Sequence, residues 1–359
     1  MEDMPSTTND FHHDRSRSTT STTTTNRVPS NFQDLGFDAP SRPKNGLVVQ
    51  PKKLSVVLMT MARLEFVNIV HWVKYSLALG FEKIIIYDNN DVPRYQEILT
   101  KAGIDPRFLM VIHFPGSNFT RGVQYYIFRD FLARAKRSRW RDKNYRENLQ
   151  LKEITHFAAF DTDEYLVIKR RGNNENKQPT IQDLVRDYIK GPCAGLTINW
   201  DYFGSGGLLR GNLMPYPVRF VHRGTVKKHL VHYEHYVKSI VDIRYVEHFD
   251  RVHVPNFYFP DVLHSCDTNH SIQDNPFSKH KFLNVAKLNH YRSRTEEEFL
   301  VLDRRPDVQF HVVHPIEHSK ERFRAFDTNE LGVELDAFNF WMDNVQDRDF
   351  SRYPLPPLS

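Results

Sequence analysis

Cysteine is almost missing from this chain: Cys193 and Cys266 are the only two. That is too few for a disulfide scaffold and fits a reducing compartment. Long hydrophobic runs are missing too. No segment approaches the roughly 18 apolar residues a membrane span needs, and the first residues lack the apolar core of a signal peptide. The expectation is therefore a soluble, cytoplasmic protein with no membrane span. An excess of charge of one sign is also lacking, since 49 Lys and Arg face 44 Asp and Glu for a net charge of +5. The basic residues are spread along the chain, which argues against nucleic acid as a partner and leaves acidic small molecules or anionic glycans compatible. Asn118-Phe119-Thr120 and Asn269-His270-Ser271 match the glycosylation triplet, a pattern that arises often by chance.

Apolar and aromatic residues are plentiful. With 40% hydrophobic and 13% aromatic content over 359 residues, the chain can bury a large core. The first 53 residues are the exception. They are rich in Ser, Thr, Asn, Arg and Pro and include the run from Ser18 to Thr25. Such a composition cannot offset its ordering entropy, so residues 1–53 are expected to form a disordered tail. Beyond it, Leu54 to Met59 reads as a buried strand. Phe66, Ile69, Val70, Val73 and Leu77 recur at helical spacing, and Gly80 stands where a left-handed helix stop is needed. Lys83 to Tyr87 makes a second strand. Strand, helix and strand within some thirty residues imply a right-handed parallel unit and an α/β fold.

The alternation continues with a helix at Arg94 to Ala102, a strand at Leu109 to His113 and a helix at Gln124 to Ala135, followed by a basic loop at Lys136 to Arg146. After a polar insertion from Lys169 to Gln178 come a helix carrying Ile181, Leu184, Val185 and Tyr188 and a strand from Ala194 to Trp200. The stretch from Val218 to Tyr258 reads as strands studded with His and Tyr, including His235, Tyr236, His248 and His253. Helices are expected at Arg294 to Leu302 and within Leu331 to Val345. Residues 54–190 and 191–359 are read as two halves of one domain, the first binding donor and the second acceptor.

One segment carries chemistry. Thr155 to Phe160 is apolar and aromatic, Asp161-Thr162-Asp163-Glu164 is acidic, and Tyr165 to Ile168 is apolar again. Clustered carboxylates at the end of a buried strand repel one another and lose hydration unless something neutralises them. A hard divalent cation, Mg2+ or Mn2+, suits oxygen-only ligands and keeps positions open for phosphate oxygens. An Asp-x-Asp at the carboxyl end of a parallel strand therefore points to a metal-assisted nucleotide-sugar or phosphate site. A solvated acidic turn is the plain alternative.

Several motifs, in order, resemble glycosyltransferase family 92. They are Glu65 with His71-Trp72, Leu79-Gly80-Phe81 and the strand end Tyr87-Asp88-Asn89; Phe160 to Leu166; Trp200 with Phe203 to Gly207; Lys238 to Val241; and Asn289-His290-Tyr291 with Glu297-Glu298-Phe299. The likeness covers residues 54 to 302. Arg63-Leu64 stands where that family tends to have Lys-Asn, and Ile243 where it has Pro.

The resemblance implies a GT-A type, Rossmann-like mixed sheet flanked by helices. It further implies a metal-dependent transferase that moves a sugar, with galactose as the best-known case, from a nucleotide donor such as a UDP-sugar to a glycan or glycoprotein acceptor with inversion. Relatives are Golgi membrane proteins. On this reading Asp161, Asp163 and His290 bind Mn2+ or Mg2+, while Arg63, Asp88, Asn90 and Lys238 meet the nucleotide sugar. Trp200, Phe203 and Gly204 would contact acceptor, and Asp201 or Glu164 would be the catalytic carboxylate, with Glu234, Glu247 and Asp250 as competitors. The rival functions are a catalytically inactive carbohydrate-binding protein of the same fold and a haloacid dehalogenase-type phosphatase, which also uses Asp-x-Asp but on the first strand of its domain.

Overall fold

The computed structural model describes residues 40–115, 122–139, 154–169, 178–225, 235–303 and 315–345. Residues 1–39 lie outside these, as do most of the basic segment beyond Arg139 and residues 170–177 of the polar insertion.

Strands β1 (Val56–Ala62) and β2 (Lys83–Asp88) pair in parallel, Leu58 against Ile84, and are joined through helix α1 (Asn68–Ala78). Every position of β2 is buried, as expected for a parallel strand covered on both faces. Gly80 takes φ +96°, the left-handed conformation that ends α1. Helix α2 (Tyr95–Lys101) leads to β3 (Leu109–His113) on the outer edge of β2. After α3 (Val123–Arg139) the chain returns on the other side of β1 as β4 (His156–Ala159), again parallel. The carboxyl ends of β1 and β4 thus flank the point where strand order reverses. In open α/β sheets that crevice is where ligands bind.

From there the sheet becomes mixed. Strand β5 (Glu164–Ile168) precedes α4 (Ile181–Tyr188), which begins with a reciprocal capping box between Thr180 and Asp183. There follow β6 (Cys193–Tyr202), the single turn α5 (Tyr216–Arg219), β7 (Val237–Asp242), β8 (Val246–Arg251), β9 (Val254–Phe257), β10 (His264–Cys266) and β11 (Ala286–His290). Helices α6 (Glu296–Asp303), α7 (Ile316–Phe326) and α8 (Asp336–Asn344) complete the described chain. The sheet order is β3-β2-β1-β4-β7-β6-β11-β5, with β10 on β6 and a separate β8-β9 hairpin. Strand β5, from the first half of the chain, ends beside β11 from the second, so one sheet runs across residue 190.

Several expectations need correction. The tail boundary at residue 53 is too late, because residues 40–53 are tied to the body. Val48 is 5% exposed and bridges Gly191. The Gln50 amide donates to the carbonyls of Val185, Arg186 and Ile189, capping the carboxyl end of α4. The reading of the cysteines as signs of a reducing compartment also meets a finding against it: Cys193 and Cys266 are bonded to each other, both buried, where β10 runs beside β6. The basic segment begins as helix. Lys136 is buried on α3 and donates to Val246 O at 2.8 Å and to the Tyr258 hydroxyl at 2.9 Å, and burial pushes its ammonium down to about 8. Finally, the stretch read as all strand from Val218 opens instead with the end of α5.

Candidate functional site

The acidic segment forms a corner at the carboxyl end of β4. Phe160 still donates to Met59 O, and the chain then folds over itself: the Glu164 N–H donates to Asp161 O at 3.0 Å, and the Asp161 N–H to Glu164 Oε2 at 2.9 Å. Asn68 at the start of α1 holds Thr162 through its carbonyl. Because β5 pairs antiparallel with β11, Glu164 stands opposite His290. His290 Nε2 lies 3.7 Å from Asp163, and Arg294 Nη2 lies 3.2 Å from it. From β7, Lys238 Nζ reaches Asp161 at 2.8 Å and Glu164 at 3.6 Å.

Burial and pairing set the protonation states. Burial would raise Asp163, but His290, Arg294 and Arg292 outweigh it and hold the carboxylate ionised. Burial lowers His290 below its ordinary value against the pull of Asp163, and Arg294 is the permanent cation of the group. Glu164 has no exposed side-chain surface; burial raises it well above the carboxylate range, opposed by Lys238. Burial would lower Lys238, and Asp161 with Glu164 reverses that. Asp161 is the open member, with 44% of its side chain exposed.

Buried polar atoms around this corner with no hydrogen-bond partner among the described residues include Glu164 Oε1, His290 Nδ1, Trp200 Nε1 and Arg294 Nε. Native folds leave few such atoms, so each asks for a ligand or an ordered water. The rings enclose them closely, with Trp200 4.4 Å and Tyr202 5.0 Å from His290. His253 closes the side: its Nδ1–H donates to Val237 O at 2.8 Å, and burial together with Lys238 pushes it down to about 3.

Among the described residues no group of three His, Cys, Asp or Glu side chains is arranged to hold a metal. Asp163 is grouped with His290, whereas Asp161 is engaged by Lys238. The donor chemistry still suits Mg2+ or Mn2+, which take one or two carboxylates and complete their shell with water and phosphate rather than an all-protein cage.

Other expected site residues are placed elsewhere. Asp201 follows Trp200 on β6 and therefore faces the other side of the sheet. It is wholly buried, lies 2.9 Å from both Lys287 and Arg223, and the pull of these cations outweighs burial to lower it. A carboxylate so saturated and so turned cannot take a proton from an acceptor at the corner. Asp88 is likewise consumed, capping α2 through the N–H groups of Arg94 and Tyr95 at 2.7 and 3.0 Å. Asn90 accepts from the Leu64 N–H and donates to Asp88, while Arg63 lies at the β1 end, 3.4 Å from Asp91. Phe203 is 1% exposed against Tyr291. At Gly204 a Cβ would lie 2.3 Å from Thr328 O, so the glycine admits the chain at 328–329 rather than a ligand. Trp200 is 5% exposed, within the ring cluster at His290. Of the competing carboxylates, Glu234 lies outside the described residues and Glu247 lies 3.5 Å from His248.

Arg294 was missed. It takes φ +53°, rare for a side-chain-bearing residue, and bridges Glu65 at 3.1 Å to Asp163 at 3.2 Å. Its only sequence signal is that it is the second of two arginines, with Arg292, shortly after His290. His253 was visible only as one histidine among many. Compared with known proteins, the chain matches no protein-family model and no curated protein sequence, so what stands in place of a family assignment is an α/β chain with an acidic corner at its strand-order reversal.

Proposed function

We propose that the corner binds a nucleotide sugar with a divalent cation and that the protein is a glycosyltransferase. The observation that carries this reading is the position of Asp161 and Asp163: two carboxylates directly after β4, at the reversal of strand order, ringed by unpartnered polar atoms. Asp161 and Asp163 are the residues that would hold Mn2+ or Mg2+, which when bound supplies positive charge to the diphosphate as it departs. Lys238 lies beside Asp161 and presents a second positive charge there. Arg294 and His290 keep Asp163 in one orientation. Trp200, Tyr236 and His253 supply rings against which a sugar can pack. In the transfer the acceptor hydroxyl forms the new bond to the anomeric carbon, the bond to the diphosphate breaks with its electron pair, and the hydroxyl proton passes to a base. The GT-A fold type, the identity of the sugar and inversion at the anomeric carbon belong to this proposal.

The inactive carbohydrate-binding alternative is favoured by one observation, the neutralisation of Asp201, which removes the carboxylate first expected to be the base. Titration calorimetry with UDP and Mn2+, followed by hydrolysis assays over UDP- and GDP-sugars, separates the two. The transferase reading expects metal-dependent nucleotide binding that Asp161→Asn weakens at least about tenfold, a loss of one charge-assisted contact, and slow release of free sugar. Nucleotide affinity unaffected by removing Mn2+ and by Asp161→Asn would sink it.

A further inference from the structure

A second cavity, of about 130 Å3, opens on the other side of Arg294. Its floor holds two ion pairs, Arg294 with Glu65 at 3.1 Å and Arg219 with Glu298 at 2.8 Å. Its walls are largely apolar, with Leu64, Phe66, Val67, Met214, Val301 and Leu302 beside the polar Asn68, His71 and Asn212. Three of these are unusually open for their type, Leu64 at 43%, Met214 at 36% and Val301 at 49%, and Leu209, whose carbonyl accepts from Glu297 on the cavity rim, is 64% exposed. Apolar surface concentrated around one hollow marks a contact site more than scattered exposed residues do.

The backbone is held against its preferences on both sides of this hollow. Leu64 takes φ +57° and Arg294 φ +53°, two of only four side-chain-bearing residues with positive φ among those described. A bulky residue in that region costs energy and persists only where its surroundings impose it. The Asn90 side chain imposes it at Leu64, and the double ion pair does so at Arg294.

The chemistry of the lining selects the occupant. The four charges of the floor are paired within the cavity, and the fifth of the lining, Glu297, accepts from the Gly211 N–H, so the cavity holds no spare positive charge for a phosphate or a carboxylate and repels both. Its small volume suits one fragment of a ligand, well below the several hundred cubic ångströms of a pocket for a whole one. The same Arg294 that forms its floor also holds Asp163, so whatever seats here lies next to the corner. We propose that this cavity receives the apolar substituent of an uncharged glycoside whose sugar hydroxyls then lie toward Asp163. Calling that glycoside the acceptor rests on the transferase reading; the binding site itself does not.

The test uses the full chain labelled on Met, Val and Leu methyls and titrated separately with hexyl β-D-glucopyranoside, hexyl β-D-galactopyranoside, free glucose, free galactose and hexan-1-ol. The expected result is saturable shifts of the Met214, Val301 and Leu302 methyls with a hexyl glycoside. Its affinity should be at least about tenfold above that of the free hexose, since burying two methylenes accounts for that ratio, and also above that of hexanol. Val301→Glu and, independently, Leu64→Asn, which tolerates the left-handed backbone, should each weaken this binding about tenfold. Absence of methyl shifts, or equal affinity for hexanol and hexyl glycoside, overturns the proposal. UDP with Mn2+ titrated into the same sample reports the corner separately. Glycoside binding without nucleotide binding leaves this cavity standing and removes the transferase; the converse does the opposite.

Discussion

Two charge clusters sit on opposite faces of β6, and they contrast. Around Asp201 the carboxylate is wholly enclosed, with Lys287, Arg223 and, at 3.9 Å, Lys281 about it, and Lys287 in turn holds Glu334. Around Asp161 and Asp163 the cations are shared among more carboxylates, one carboxylate is exposed, and Glu164 Oε1, His290 Nδ1, Trp200 Nε1 and Arg294 Nε lack hydrogen-bond partners among the described residues. In the first cluster both carboxylate oxygens of Asp201 are engaged, although Arg223 Nε makes no hydrogen bond among the described residues, and the cluster joins β6 to the segment before α8. The second is unfinished, and only an unfinished cluster has something left to give a ligand. Carboxylates of the same chemical kind thus acquire opposite uses according to how fully the fold satisfies them.

The strongest way to break this contrast is to neutralise each cluster in turn. Asp201→Asn removes the buried charge shared by Lys287 and Arg223, leaving Lys287 only Glu334 among the described residues, and should cost about 3 kcal/mol of unfolding free energy, read from urea midpoints. Asp161→Asn should cost under about 1 kcal/mol, because its side chain is partly exposed and Glu164 can ionise to take over Lys238. Equal losses would erase the distinction.

Acid sharpens it next. The unfolded imidazole titrates near 6.5 and His253 in the fold only near 3, so between these values the unfolded chain binds more protons and stability falls as pH falls. Going from pH 7 to pH 5 should remove about 2 kcal/mol through this one group. Asp201, lowered in the fold, keeps its contribution until pH drops below the ordinary carboxylate range near 4. Glu164, raised by burial, works in the opposite direction. The readout is therefore the difference in slope between the protein and His253→Phe; identical slopes would refute the burial of a neutral His253.

A smaller effect is expected at Gly204. Replacing it with Ala forces a methyl against Thr328 O and Asn329, for about 1–3 kcal/mol lost, while leaving metal-dependent UDP affinity in place. A loss of nucleotide affinity at unchanged stability would return the glycine loop to the ligand site. Smallest of all, removing residues 1–39 should leave the melting temperature within a degree or two, whereas removing residues 1–50 deletes the Gln50 cap and Val48 and should cost at least about 1 kcal/mol.

Most elements were legible because their period is local. Leu109 to His113 is a strand at the bounds its apolar run suggests, and Gly80 stops α1 with the expected positive φ. The roles of polar residues were less legible, because they depend on partners distant in sequence. Nothing near Gly204 announces Thr328, and nothing near Cys193 announces Cys266. Asp88 caps a helix whose first N–H groups lie six and seven residues away, farther than the usual cap spacing. Asp201 is different, since the signal was present: side chains alternate along a strand, so a reading that turns Trp200 toward the crevice already turns Asp201 away.

The covalent tie between Cys193 and Cys266 fastens the first residue of β6, the strand whose last turn of sequence carries Trp200, Asp201 and Tyr202. It ties together positions 73 apart in sequence, and the loop so closed contains β7, β8 and β9, and with them Lys238 and His253. A batch of protein made without an oxidant would carry the same residues on an unfastened frame, so thiol titration belongs beside every measurement of ligand affinity. The redox history of a preparation then becomes a variable of the binding experiment.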